Sequence, residues 1–276
     1  MNSTHFWKLL RILGGIILVV SAVFPFYWML LNSLLPTSAL FTKTPQFLPL
    51  ITDKVSYATV FTKVPIFQWL LNSITVSVGT TLLSIGLAVF GAYGLSRFKF
   101  RGKGSLGFMV FVTQMLPEAL IVVPFYTMFI VLGINNNFIG LVVANTAFSM
   151  PVLVWILKAA IDAVPIEIEE AARIDGCTYL DTHFAVVLPV IGPSLAAAAI
   201  TSFFYAWNEY LFAATLISDQ NLRTTAVGLA SFIGELSTPL DTVMAASVLF
   251  TLPAVIFYLM SQRAVVSGMT AGAVKG

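Results

Sequence analysis

The chain has 276 residues, of which 58% are hydrophobic and 9% charged, with a formal net charge of +2; its mean hydropathy is +0.94. Soluble globular domains carry about a quarter of their residues as Asp, Glu, Lys and Arg, so this composition excludes an ordinary soluble fold and points to lipid. The small positive excess supports no inference of nucleic-acid binding.

Apolar runs of about twenty residues, rather than ten alternating ones, select helices over barrel strands, because backbone groups in hydrocarbon must be satisfied within the element itself. Six such runs follow one another. The first, Ile12 to Asn32, has no small-x-small cleavage site and reads as an uncleaved anchor, not a signal peptide. Residues 33–68 form an outer segment of Pro, Thr and aromatics, in which Phe61, Phe67 and Trp69 suit the membrane surface; Trp28 and Trp69 suit an interfacial belt. The second run, Trp69 to Leu95, ends in a basic cluster from Arg97 to Lys103 that serves as an anchor meeting anionic head groups. The third, Ser105 to Leu132, contains Pro117 and Pro124, where kinks are expected; the fourth is Phe138 to Leu157. A polar loop over 159–190 leads to the fifth run, Ile191 to Ile217, which carries one acid. An outer loop over 218–240 precedes the sixth, Asp241 to Gln262, with a kink expected at Pro253. The expected architecture is an all-α integral membrane protein with six transmembrane helices, forming a single domain over 1–276.

Lys and Arg in short loops orient such a chain. With both termini cytoplasmic, the inner side holds Lys8, Arg11, Arg97, Lys99, Arg101, Lys103, Lys158, Arg173, Arg263 and Lys275, against Lys43, Lys54, Lys63 and Arg223 outside, ten to four. The loop 159–190 is then cytoplasmic. Pro165 suits a first helical turn, and Glu167, Glu169 and Glu170 place negative charge at the positive end of the helix dipole. Glu169 and Arg173 are four apart and expected to pair along the helix; Ala171 and Ala172 leave a smooth face; Gly176 is a left-handed stop. Thr178 with Asp181 resembles a second N-terminal cap before an apolar stretch that Pro189 ends. Two short helices joined by a sharp elbow result. The lone Cys177 and the isolated His5 and His183 offer neither disulfide nor metal site, and without a phosphate-binding loop any nucleotide chemistry belongs to another chain.

The triplet Glu170-Ala171-Ala172, with Gly176 four residues after Ala172 and Leu188-Pro189 closing the segment, resembles the coupling loop of ABC-importer permeases. The likeness extends along the chain. Asn72-Ser73, Ala92-Tyr93-Gly94-Leu95-Ser96-Arg97, Gln114-Met115-Leu116-Pro117, Trp207-Asn208-Glu209 and the terminal Thr270-Ala271-Gly272-Ala273-Val274-Lys275-Gly276 look like the second, six-span permease of the carbohydrate-uptake subfamily. Departures are Val186 where Ile is common and Cys177 where Ala is commoner. The resemblance implies a type I ABC importer permease fold in a bacterial or archaeal cytoplasmic (inner) membrane. It further implies a heterodimer with a homologous permease, two ATPase subunits that bind ATP and Mg, an extracytoplasmic solute-binding protein, and no cofactor or enzyme activity in this chain. The coupling role falls on Glu170, Ala171, Asp175 and Gly176, within a loop that includes Glu169, Ala172, Arg173, Leu188 and Pro189. The implied cargo is a sugar or sugar-like solute of disaccharide, glycosylglycerol or glycerol-phosphate type.

A carboxylate inside a span costs about 2.5 to 3.5 kcal/mol at mid-bilayer, so Glu209 faces a bundle interior or a wet cavity. Trp207, Asn208 and Tyr210 beside it supply ring faces and hydroxyl or amide groups for a sugar path; pairing with a partner subunit is the competing role. Glu118, next to Pro117, is a further path candidate. Arg223, Thr224, Gly234 and Glu235 in the outer loop are candidates for contact with the binding protein, a role the resemblance implies. An intramembrane enzyme would need a paired nucleophile and base in the spans, which the sequence lacks. An ion-coupled secondary transporter, the alternative, predicts inverted repeats and intramembrane charges.

Overall fold

A computed structural model describes residues 3–48, 55–233 and 239–273, with side chains from Trp7 to Gln262. The described residues are helical and contain no strand. In chain order the helices are α1 (Ser3–Leu34), α2 (Thr37–Leu40), α3 (Val55–Lys63), α4 (Ile66–Arg97), α5 (Lys103–Val112), α6 (Glu118–Leu132), α7 (Phe138–Asp162) and α8 (Ile166–Ile174). They continue with α9 (Tyr179–Asp181), a π-helical turn (Thr182–Val187), α10 (Leu188–Val190), α11 (Gly192–Asn208), α12 (Leu211–Leu216), α13 (Thr225–Ala230) and α14 (Leu240–Ala273).

Four of these are long and apolar enough to cross a membrane: Trp7–Leu34, Ile66–Arg97, Phe138–Asp162 and Leu240–Gln262. Counting each of two bent pairs as one span gives up to six, the pairs being Lys103–Met115 with Glu118–Leu132 at 100° and Tyr179–Val190 with Gly192–Asn208 at 83°. The third span is thus broken at Pro117, a sharper change than the expected kink. Leu116, preceding the proline, is extended at φ −77 and ψ 124, since the proline ring disfavours α geometry in the residue before it. Pro124, Pro151 and Pro253 lie inside helices.

The chain divides into two compact units, residues 1–66 with 229–252, and residues 67–228 with 253–276. In the first, the end of α1 meets α3 through the Ser33 and Tyr57 hydroxyls, 2.8 Å apart, and Ser56 donates to Asp241 in the first turn of α14 at 2.9 Å. The apolar side chains of α1 from Trp7 to Phe26 are exposed, the surface that lipid or another subunit would cover.

In the second unit α4 and α7 run parallel, and small residues let their backbones approach. A Cβ on Gly79 would stand 3.0 Å from Val142, and one on Gly91 3.4 Å from Val154; between these levels Ser84 and Ser149 are hydrogen-bonded at 2.7 Å. One apolar core joins Ala88, Val89 and Ala92 of α4 to Leu153, Leu157 and Ile161 of α7 and Ala198 of α11. A second gathers Val76, Phe129, Leu141, Phe212 and Leu216.

Candidate functional site

The elbow after the α7 end is built by local rules. α8 starts after Pro165 and stops at Gly176, whose φ of 97 is left-handed. Gly176 N–H donates to Arg173 O at 3.1 Å and Cys177 N–H to Ala172 O at 3.0 Å, the paired bonds of a Schellman stop. Thr178 then accepts from Asp181 N–H while Asp181 accepts from Thr178 N–H at 3.0 Å, the expected capping box. The widened π turn that follows precedes Pro189, whose missing N–H could not continue an α ladder. Pro189 therefore opens the one-turn α10 and does not end the stretch.

α8 is attached by charge. Its sole buried side chain is Glu169. Arg97 Nε meets Glu169 Oε1 at 2.5 Å, Tyr93 OH donates to Oε2 at 2.8 Å, and Arg97 Nη2 donates to Val164 O at 2.8 Å. This corrects the expected Glu169–Arg173 pair: Glu169 points inward, and the Arg173 guanidinium lies over the Tyr179 ring, 4.0 Å from its centroid. Arg97 is likewise a protein partner and not a lipid anchor. Breaking such a buried pair leaves an uncompensated charge and costs about 3–5 kcal/mol. Nearby, Ser96 donates to Asp162 at 2.5 Å, Asp162 pairs with Lys158 at 2.6 Å, and buried His183 packs on Tyr93 with centroids 4.5 Å apart.

The opposite side of the elbow is open. Glu170, Arg173, Ile174, Gly176 and Cys177 border a depression of about 470 Å³, and Ile174 is 86% exposed. Ala171 and Asp175 are exposed, Ala172 is half-buried, Leu188 packs at the edge of the first core, and Pro189 is exposed.

The path candidates separate. α11 ends at Asn208, so Glu209 stands in a break and not inside a continuous fifth span. Its buried carboxylate accepts from Phe212 N–H at 2.5 Å and Ala213 N–H at 3.0 Å, capping α12. Trp207 is buried and stacked on Phe203, the exposed Asn208 amide donates to Phe204 O, and Tyr210 is exposed. Glu118 opens α6 and accepts from Tyr205 OH of α11 at 2.7 Å. With Gln114, Ser149 and Thr201 these two line a cavity of about 100 Å³. Tyr205 was not singled out in the sequence; its one signal is a tyrosine three residues before Asn208.

The loop after α12 is tied down. Asn136, at φ 52, accepts from Ser218 and Asp219 N–H groups, each at 2.9 Å. Asn72 donates to Asn221 O at 2.7 Å and Arg223 O at 2.9 Å, and Ser73 accepts from Thr225 N–H at 2.8 Å. A Cβ on Gly228 would run into the Trp69 ring, so Trp69, 4% exposed, is packing and not an interfacial belt. Thr224 is buried and Arg223 half-buried; Gly234 and Glu235 lie outside the described residues.

The family model described as binding-protein-dependent transport system inner membrane component matches residues 81–271. The chain is similar to the sulfoquinovosyl glycerol transport system permease of Agrobacterium fabrum, with 32% identity over all of this chain and 97% of the relative. It is 34% identical to the trehalose/maltose transport system permease of Thermococcus litoralis, over 98% of this chain and 97% of the relative. Among solved structures, a chain of a bacterial ABC transporter involved in import of the acidic polysaccharide alginate superimposes with a TM-score of 0.80 at 24% identity, covering 95% of this chain and 98% of that one.

Proposed function

The chain belongs to the family of binding-protein-dependent transport system inner membrane components, and from that premise we propose that it forms half of the path by which a sugar or sugar-like solute, of disaccharide, glycosylglycerol or glycerol-phosphate type, enters the cell. As a membrane-embedded permease it is a transport subunit, and the energy comes from ATP hydrolysis in a partner. The elbow at Gly176 carries this reading. Its exposed surface, Ile174 with Glu170, is what an ATPase subunit would contact, while Glu169 ties the same helix to the membrane bundle.

We assign the second half of the path to a homologous permease, the ATP and Mg to two ATPase subunits, and the delivery of solute to an external binding protein. Relatives named for sulfoquinovosyl glycerol and for trehalose/maltose support a carbohydrate cargo. The cavity of Gln114, Glu118, Thr201 and Tyr205 suits hydroxyl groups better than the Glu209 region does, because the Glu209 carboxylate is occupied by backbone.

Affinity purification of this chain with the products of its neighbouring genes tests the proposal. We expect a soluble ATPase to co-purify, and uptake of radiolabelled trehalose, maltose or a glycosylglycerol to cease when that ATPase is inactivated. Uptake that persists without the ATPase and follows an ion gradient would establish secondary transport instead.

A further inference from the structure

Most surface helices dock through apolar residues, but in α8 these face out: Ile166 is 50%, Ile168 42% and Ile174 86% exposed. What ties α8 to α4 is Glu169, gripped on both carboxylate oxygens by Arg97 and Tyr93. Arg97 also holds Val164 O, one residue before the proline that starts α8. Apolar contacts permit sliding, whereas charge-assisted bonds fix distance and direction. Tyr93 and Arg97 are four apart on α4, so both lie on one face of its last turns.

The other end of α4 is held in the same manner. Asn72 donates to two carbonyls of the 219–225 loop, and Ser73 exchanges bonds with Thr225. Asn72 and Arg97 are 25 residues apart on α4, about 38 Å at 1.5 Å per residue, more than the ~30 Å hydrocarbon core of a bilayer. The helix contains no proline, the usual cause of a kink.

We propose that α4 is a transmission rod. Tyr93 and Arg97 take up movement of α8 through Glu169, and Asn72 and Ser73 pass it to the 219–225 loop on the opposite side of the membrane. These four are positioning residues. The proposal rests on the transporter reading above and adds the route by which the ATPase side and the solute side sense each other. Such coupling shows itself as a response that both ends bias.

The test uses the assembled complex in nanodiscs, with Cys177→Ser and a reporter Gln220→Cys in the exposed turn of that loop. Labelling by a charged maleimide is followed with and without Mg-ATP and vanadate, and ATP hydrolysis is recorded for every sample. In the parent we expect nucleotide trapping to change the rate roughly fivefold or more, as for typical coupling between sites. Tyr93→Phe, which removes one hydroxyl, and Arg97→Lys, which keeps the charge but loses the fork, should cut that response to less than about twofold, with unchanged labelling in the nucleotide-free state. Asn72→Leu should do the same from the far end, and combining it with Tyr93→Phe should add no further loss, because both interrupt one series. A full response in Tyr93→Phe, or losses that multiply, would overturn the rod. So would a parent complex that hydrolyses ATP with no change at Gln220→Cys. A parent that recruits no ATPase would instead overturn the transporter reading beneath it.

Discussion

Glu169 and Glu170 have the same chemistry and adjoin on α8, yet one is buried and the other exposed. A helix turns about 100° per residue, so neighbours face different ways, and the side chain turned inward meets Arg97 and Tyr93 while the other meets solvent. Position relative to a distant arginine, 72 residues back, decides the role of each. Glu209 is the local counterpart. Its carboxylate spans two amides at the start of α12, so Glu209→Ala should lower stability by about 0.5–2 kcal/mol, the range for a lost N-terminal cap. Glu209→Gln, which keeps one acceptor oxygen, should lose less. Thermal unfolding of the purified complex reads the difference, and an alanine variant with parental stability but lost uptake would assign Glu209 to the sugar path and not to the cap.

The elbow depends on backbone geometry more than on packing. Nothing stands within 4 Å of where a Cβ of Gly176 would be, yet its φ is 97. Gly176→Val should therefore insert and assemble normally in the membrane but misdirect α9 and the π turn, since a left-handed conformation costs an L residue about 1–2 kcal/mol. ATP hydrolysis stimulated by the loaded binding protein should vanish, whereas Gly176→Asn should retain part of it. Parental stimulation in the valine variant would remove the elbow from the coupling assignment. Proline acts elsewhere by the same logic: Pro117 forces Leu116 extended and splits one apolar run into α5 and α6. Pro189 follows a π turn that already departs from α geometry.

Across the whole molecule, the distribution of basic residues predicts that the Arg97–Lys103 loop and the α8 elbow face the cytoplasm. After Cys177→Ser, a cysteine at Lys99 or Leu180 should resist a membrane-impermeant thiol reagent in intact cells, and one at Gln220 should react; the reverse pattern would invert the topology. Much of this architecture was legible in the sequence alone. Six apolar runs, the glycine stop and the Thr178–Asp181 box follow from hydropathy and backbone preference, which act over one or two helical turns and need no knowledge of the fold. The family likeness was legible for the same reason, since its motifs are short and contiguous. Tertiary structure decided the rest. Whether Arg97 met lipid or Glu169 and whether Trp69 lay at an interface or under Gly228 were contests between local and distant partners. Periodicity places a side chain on a face of its helix, but it carries no term for the helix that packs against that face, and in lipid, where apolar burial no longer distinguishes one neighbour from another, the few polar groups settle their roles by whichever donor or acceptor the fold brings within 3 Å.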